Sequence, residues 1–319
     1  MKLKAVLLGS SVIMSFASYV EAAPLVSNNF GSICGVGYSR VGSGSCVKLG
    51  GNIDVGGKYV RTADKKSLIN PVIKGTFSLD TITGMPSGIP LEGSMKLALS
   101  ESKPTGDFAN LQLPVLDFAY IRYNGVKLGY YTPWDMKPYP GVNLMPKDKN
   151  MYSASYQRVV KRVKLGISAD VLQVLKEPAN KRQCGIGYMM SIIGGNRTFT
   201  LTGGYDIAQG NAVVRGVVSS KIGSNVLDFI GMWTSGESIY SNQKKYSVAA
   251  SYNFDATSKL KINPALQYSF DNKDVYTVGF GAKFSYEISK ALSASITAEG
   301  DVTDSDIMPK ISISLSHSF

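Results

Sequence analysis

The chain has 319 residues, 33 of them Gly and 18 Tyr, a formal net charge of +11 and a mean hydropathy of +0.01. Beyond the N-terminus no segment approaches the ~18 consecutive apolar residues of a helical span, so helical membrane crossings are excluded. Nucleic acid is not an expected partner either: the Lys and Arg are spread along the chain instead of clustered, and the N-terminus reads as an export signal.

That signal comes first. Lys2 and Lys4 precede an apolar run from Ala5 to about Tyr19, and Val20-Glu21-Ala22 offers small residues at a cleavage site. Residues 1–22 are therefore expected to be a signal peptide, with cleavage after Ala22 or Ala23. Residues 23–319 are expected to form one domain, exported into an oxidising compartment. Cys34 and Cys46 bracket a short stretch rich in Gly and Ser, which closes easily, so a disulfide is expected there. The third cysteine, Cys184, sits in an apolar alternating row with Ile186, Tyr188 and Met190 and reads as a small hydrophobe.

From here to the C-terminus, alternating segments recur with turn residues between them. The expected strands are 49–60, 72–81, 89–100, 114–123, 126–131, 151–158, 162–172, 182–193, 197–207, 211–221, 225–235, 243–254, 258–270, 274–287, 290–300 and 307–319. Parity favours this count of sixteen over fourteen or eighteen. With the N-terminus periplasmic, the long connections (61–71, 101–113, 132–150, 173–181) all fall on the outer side. The tight turns Asn124-Gly125, Gly194-Gly195-Asn196 and Asp255-Ala256-Thr257 fall on the other, and only Gly84 to Gly88 breaks the rule.

Several strands are two-sided. Val163, Leu165, Ile167, Ala169 and Val171 oppose Arg162, Lys164, Gly166, Ser168 and Asp170. Phe199, Leu201 and Tyr205 oppose Thr198, Thr200 and Thr202; Tyr276, Phe280, Phe284 and Tyr286 oppose a small, polar row. The final segment alternates Ile311, Ile313, Leu315 and His317 with serines and stops on Phe319. An exposed sandwich face would carry more charge than Ser, Thr and Gly. The pattern is that of an all-β, transmembrane antiparallel β-barrel with lipid on the apolar side and a polar lumen.

Three stretches carry a resemblance. Cys34-Gly35-Val36-Gly37-Tyr38 leads through a Gly-Ser turn to Cys46 and Val47-Lys48-Leu49-Gly50-Gly51-Asn52-Ile53. Leu116-Asp117-Phe118-Ala119-Tyr120-Ile121-Arg122 is followed, after Asn124-Gly125, by Val126-Lys127-Leu128-Gly129, and Tyr152-Ser153-Ala154-Ser155-Tyr156-Gln157-Arg158 comes next. The chain resembles the alphaproteobacterial outer-membrane porins, departing from them in its shorter inter-cysteine stretch and smaller outer loops. The resemblance implies a sixteen-stranded barrel, a homotrimer, passive diffusion of small hydrophilic solutes, and a loop after the fifth strand that folds inward and narrows the pore.

In this sequence that loop is 132–150, stiffened by Pro133, Pro138, Pro140 and Pro146. Its charges Asp135, Lys137, Lys147, Asp148 and Lys149 are the expected constriction, facing wall bases Lys127, Arg162, Lys164 and Arg215. Strand parity puts more bases in the lumen (adding Lys245, Lys261, Lys283 and Lys310) than acids (Asp117, Asp170, Asp206, Glu287), which implies a mild anion preference. Lipopolysaccharide outside is the expected anionic partner of the basic chain. Catalysis is not expected, because the only histidine, His317, lies in the apolar row without an evident acid or nucleophile. No Gly-rich phosphate loop and no His/Cys metal spacing is visible, and passive transport needs no cofactor. The alternatives are a substrate-specific channel, or a barrel that serves mainly as a surface adhesin or structural protein.

Overall fold

A strand alternates its side chains between two faces, so a chain of two-sided strands can bury nothing until it closes on itself. In a bilayer closure is also an electrostatic demand, since an open edge would leave unpaired N–H and C=O groups in hydrocarbon. The computed structural model describes residues 34, 37–41, 44–61, 67–101, 114–134, 139–140, 142, 150–173, 182–241, 244–271, 275–303 and 306–319, and here the chain takes that solution.

After the short β1 (Ser39–Val41) come β2 (Ser45–Arg61), β3 (Ser67–Thr83), β4 (Leu91–Glu101), β5 (Val115–Tyr123), β6 (Val126–Tyr131), β7 (Met151–Val160), β8 (Val163–Gln173) and β9 (Arg182–Gly194). Then follow β10 (Arg197–Asp206), β11 (Asn211–Ile222), β12 (Asn225–Thr234), β13 (Lys244–Asp255), β14 (Leu260–Asp271), β15 (Tyr276–Ser289), β16 (Leu292–Thr303) and β17 (Asp306–Ser318). Each strand from β2 to β17 pairs antiparallel with the next. β17 then returns to β2, in register from Lys310↔Val60 to Ser318↔Asn52. The sixteen expected strands are these sixteen, and they form one closed barrel. β1 was not expected; it folds back on β2 (Arg40↔Cys46), where the Cys34–Cys46 disulfide, Cα–Cα 5.5 Å, holds the preceding chain.

The closing seam reaches the last residue. Phe319 exchanges both backbone hydrogen bonds with Gly51, at 3.0 and 3.1 Å, and its ring lies where a Gly51 side chain would be, 2.4 Å from an ideal Cβ. The glycine therefore makes room for the terminal aromatic.

Turn chemistry matches the parity argument. Asn124 and Gly125 both take positive φ (45° and 82°), the pair of left-handed residues a two-residue type I′ hairpin needs. The connections 161–162, 195–196, 223–224 and 290–291 are equally short and lie on the same barrel end as Asn124-Gly125, while the strand ends that flank 102–114, 132–150, 174–181 and 235–243 lie at the other. Several expected strand starts shift by one to five residues, and one shift moves a site residue: Arg162 belongs to the Lys161–Arg162 turn, where Lys161 takes φ 54°, and not to the wall.

The polarity of the barrel is inverted relative to a soluble protein. Outward rows are apolar and exposed, as at Val248 (59%), Ile313 (57%) and Phe229 (53%). Inward rows hold Ser153, Ser155, Ser168, Thr202, Ser247, Ser251 and Gln267, all buried. Exposed Ile and Leu facing alkyl chains cost nothing, whereas the same surface in water would be an aggregation site. Cys184, opposite Val171, lies in the outward row and is not disulfide-bonded.

Candidate functional site in the barrel lumen

The connection 132–150 is anchored where it leaves and rejoins the wall. Thr132 Oγ1 donates to Asn150 Oδ1 (2.6 Å), and Asn150 Nδ2 donates to the Asp117 carbonyl. Its described residues lie against the inner wall. Trp134, in the left-handed region at φ 58°, lays its ring over Gly166 of β8 and Gly187 of β9; an ideal Cβ at either would come within 2.6 Å of it. Tyr139 and Val142 pack on a cluster of inward side chains that includes Met151, Val213, Ile230 and Met232. The phenol of Tyr139 bonds to Asp228 of β12, and burial, then that carboxylate, push it well above the usual tyrosine range. The charged residues Asp135, Lys137, Lys147, Asp148 and Lys149 lie outside the described residues.

A second connection, 235–243, also turns inward, which nothing in its sequence announced. Tyr240 lies on Gly185 and Gly204, where Cβ atoms would meet its ring at 2.7 and 2.5 Å. Its hydroxyl donates to Asp170 Oδ2 (2.6 Å), which also accepts from Ser168 Oγ (2.7 Å). Asp206, fully buried, accepts from the backbone N–H of Ile239 with one oxygen and from Ala208 and Gln209 with the other, each at 3.0 Å. Burial and the adjacent Asp170 push the Tyr240 phenol upward, so it stays a donor. The four glycines 166, 185, 187 and 204 are thus a smooth patch of wall on which two aromatic side chains from two loops rest. Two acids expected as free lumen charge, Asp170 and Asp206, are instead structural acceptors.

The expected wall bases separate. Lys127 and Lys164 line one cavity of about 840 Å³, together with Tyr120, Tyr131, Trp134, Ser155, Gln157 and the Arg122–Glu92 pair. The Lys127 ammonium sits 3.9 Å from the Tyr120 ring centre and 3.8 Å from that of Tyr131, whose hydroxyl is 2.7 Å from Ser155 Oγ. Cation–π contacts hold an ammonium in place without cancelling its charge. Arg215 faces inward but is buried (6% exposed), its guanidinium 3.7 Å from the Met232 sulfur. Arg162 is at the turn rim, away from this cavity.

The lumen is also less one-sided in charge than parity counting implied. Inward rows add Asp54, Asp80, Glu92, Asp228, Glu299 and Asp301 along with the bases Lys48, Lys58, Lys74, Lys96, Arg122 and Lys221, so acids and bases interleave on the wall. Ion pairs absorb several bases: Lys96–Asp117 at 3.0 Å, Arg122–Glu92 at 2.7 Å and Lys310–Asp301 at 3.1 Å. A bulge at Lys96–Leu97 turns Asp117 toward Lys96.

A closed barrel with an apolar exterior, a polar interior and loop residues resting on its inner wall is built to stand in an outer membrane. The comparisons name its family: a family model described as the Porin subfamily matches residues 21–312, and the chain belongs to that family. A putative outer membrane protein of Sinorhizobium fredii, y4fJ, is 26% identical over 326 residues, covering 94% of this chain and 92% of its own. Among solved structures, an anion-selective porin from Comamonas acidovorans superposes with TM-score 0.65 at 12% identity, over 86% of this chain and all of that one. OmpT of Vibrio cholerae, in a trimer form, gives 0.64 at 10% identity, over 87% of this chain and all of its own. At such identities the structural likeness is one of fold. The chain is a porin of the outer membrane.

Proposed function

We propose that this porin is a general diffusion channel for small hydrophilic solutes, mildly anion-preferring, narrowed by the connection 132–150, and assembled as a homotrimer. The observation that carries the selectivity is local: Lys127 and Lys164 face the same cavity of about 840 Å³, beside the inward-lying Trp134. Lys96, Arg122 and Lys310 lie in ion pairs elsewhere on the wall, and the preference is assigned to the cavity that Lys127 and Lys164 line together. Field lines in a narrow lumen with low-dielectric walls concentrate on such a pair. The name of the Comamonas relative in fold points the same way, and the trimer form of OmpT supports the oligomer. Asp135, Lys137, Lys147, Asp148 and Lys149 would complete the constriction from the loop side. Residues 1–22 would be the export signal, and lipopolysaccharide would meet the end with the long connections.

Reversal potential across a planar bilayer under a salt gradient tests the reading. Stepwise openings in threes with a mild anion preference are expected; clear cation preference defeats the selectivity assignment. The rings of Tyr120 and Tyr131 around Lys127 favour a substrate-specific channel as the second reading. Conductance that saturates with one solute class would select it.

A further inference from the structure

The outward rows are predominantly apolar and, at the end with the short turns, carry no Asp or Glu among the described residues. They do carry arginine at that end. Arg158 of β7 stands in the outward row between Tyr156 (45% exposed) and Val160 (49%), opposite Leu165 (46%) of β8. Arg197 opens β10 in the outward row, two positions before Phe199. Lys161 and Arg162, both exposed, form the turn between β7 and β8. The two hairpin tips are joined directly, since Ile193 N donates to the Arg162 carbonyl at 3.0 Å. Strand spacing near 4.8 Å then brings all four bases within about 15 Å along the rim.

None of the four makes an ion pair among the described residues, where the pairs are Lys96–Asp117, Arg122–Glu92, Lys261–Asp255 and Lys310–Asp301. A guanidinium in a lipid-facing row needs an anion or water within reach of its stem. Tyr156, Val160, Ile192 and Phe199 beside it mark the depth at which acyl chain gives way to head group. Lys259 and Lys290 continue the positive edge on later turns of the same end.

We propose that this edge, centred on Arg158, Lys161, Arg162 and Arg197, binds the phosphate of anionic glycerophospholipids in the leaflet that meets the short turns. The phosphodiester accepts hydrogen bonds from the outward-row arginines Arg158 and Arg197, while the acyl chains run along Val160, Ile192 and Phe199. Charge complementarity and the apolar strip at matching depth select a lipid over a soluble anion.

The test uses the full refolded protein, delipidated in a zwitterionic detergent. It is titrated with short-chain phosphatidylglycerol or phosphatidylcholine of the same chain length, and binding is read by native mass spectrometry and thermal unfolding. Phosphatidylglycerol should bind about tenfold more tightly at low salt. The preference should vanish in R158Q/K161Q/R162Q/R197Q and survive in the charge-keeping R158K/R162K/R197K. Should the quadruple variant fail to refold, R158Q alone, an exposed position, should weaken phosphatidylglycerol binding several-fold. Equal binding of both lipids, or an unchanged preference in the glutamine variants, overturns the proposal. Full competition by inorganic phosphate, or equal binding of lipopolysaccharide at the same residues, overturns the assignment to this leaflet.

Discussion

At the scale of single residues, the lumen is shaped by aromatics resting on glycine. Tyr240 is the clearest case, because its hydroxyl ties the 235–243 connection to Asp170 on β8 across 70 positions of sequence. Removing that hydroxyl in Tyr240→Phe leaves the carboxylate with Ser168 alone and should cost about 1.5–3 kcal/mol, the usual range for a hydrogen bond to a charged group. A lower denaturant midpoint would show it, together with noisier single-channel current from a loosened loop. The same phenol and that of Tyr139 hold their protons more tightly folded than unfolded. Their contribution is therefore intact below the ordinary tyrosine pKa of about 10 and lost as pH climbs beyond it. Ultraviolet titration should show these two phenols ionising only after the exposed tyrosines, with stability falling in that alkaline window. Trp134 offers an optical probe, since the chain has only one other tryptophan, Trp233, in an outward row. In a Trp233→Phe background, Gly166→Val should drive the Trp134 ring off the wall. Its emission should then shift red and become quenchable by iodide, and an unmoved spectrum would mean the ring does not need that glycine.

Elements obey rules that strand periodicity states well and loop composition does not. The two-faced strands could be read from alternation because burial and lipid exposure repeat every second residue, and sixteen were found where sixteen were expected. Turn residues with an obligatory backbone conformation, such as Asn124-Gly125, were legible for the same local reason. The short β1 was not, because three residues carry no period; its position is held by pairing with β2 and by the disulfide. Reducing the Cys34–Cys46 bond should release that segment and lower stability by about 2–3 kcal/mol, mainly through the freed unfolded chain. Thermal unfolding with and without reductant measures it, and the barrel should remain closed through the β17–β2 seam. The inward course of 235–243 was invisible for a different reason. Its glycine supports sit on β9 and β10, and a small inward residue looks the same in sequence whether or not a loop rests on it.

For the molecule as a whole, the proposed selectivity rests on which charged side chains line the same part of the lumen. Counting bases by strand parity overlooked Asp54, Asp80, Glu92, Asp228, Glu299 and Asp301, because the strands that carry most of them were assigned no face beforehand. Lys127, Lys164 and Arg215 all stand in inward rows. What parity could not tell is that Arg215 is buried against Met232, while the two lysines share an open cavity. Replacing both as Lys127→Glu with Lys164→Glu should move the reversal potential toward cation preference with little change in fold. The single replacement Arg215→Gln should alter stability more than selectivity. A reversed order of effects would relocate the selectivity determinant away from the Lys127 cavity.

The sequence by itself determined the class of fold, the number of barrel strands, their two faces and the end at which the short turns lie. Those are consequences of a period of two and of local turn geometry, which neighbours in the chain express. Tertiary structure alone decided which loop residues rest on the inner wall, which carboxylates hold them, and which bases stand in ion pairs. Those depend on contacts between residues far apart in sequence, such as Tyr240 with Asp170 and Trp134 with Gly166 and Gly187, and on ion pairs formed only when strands stand side by side.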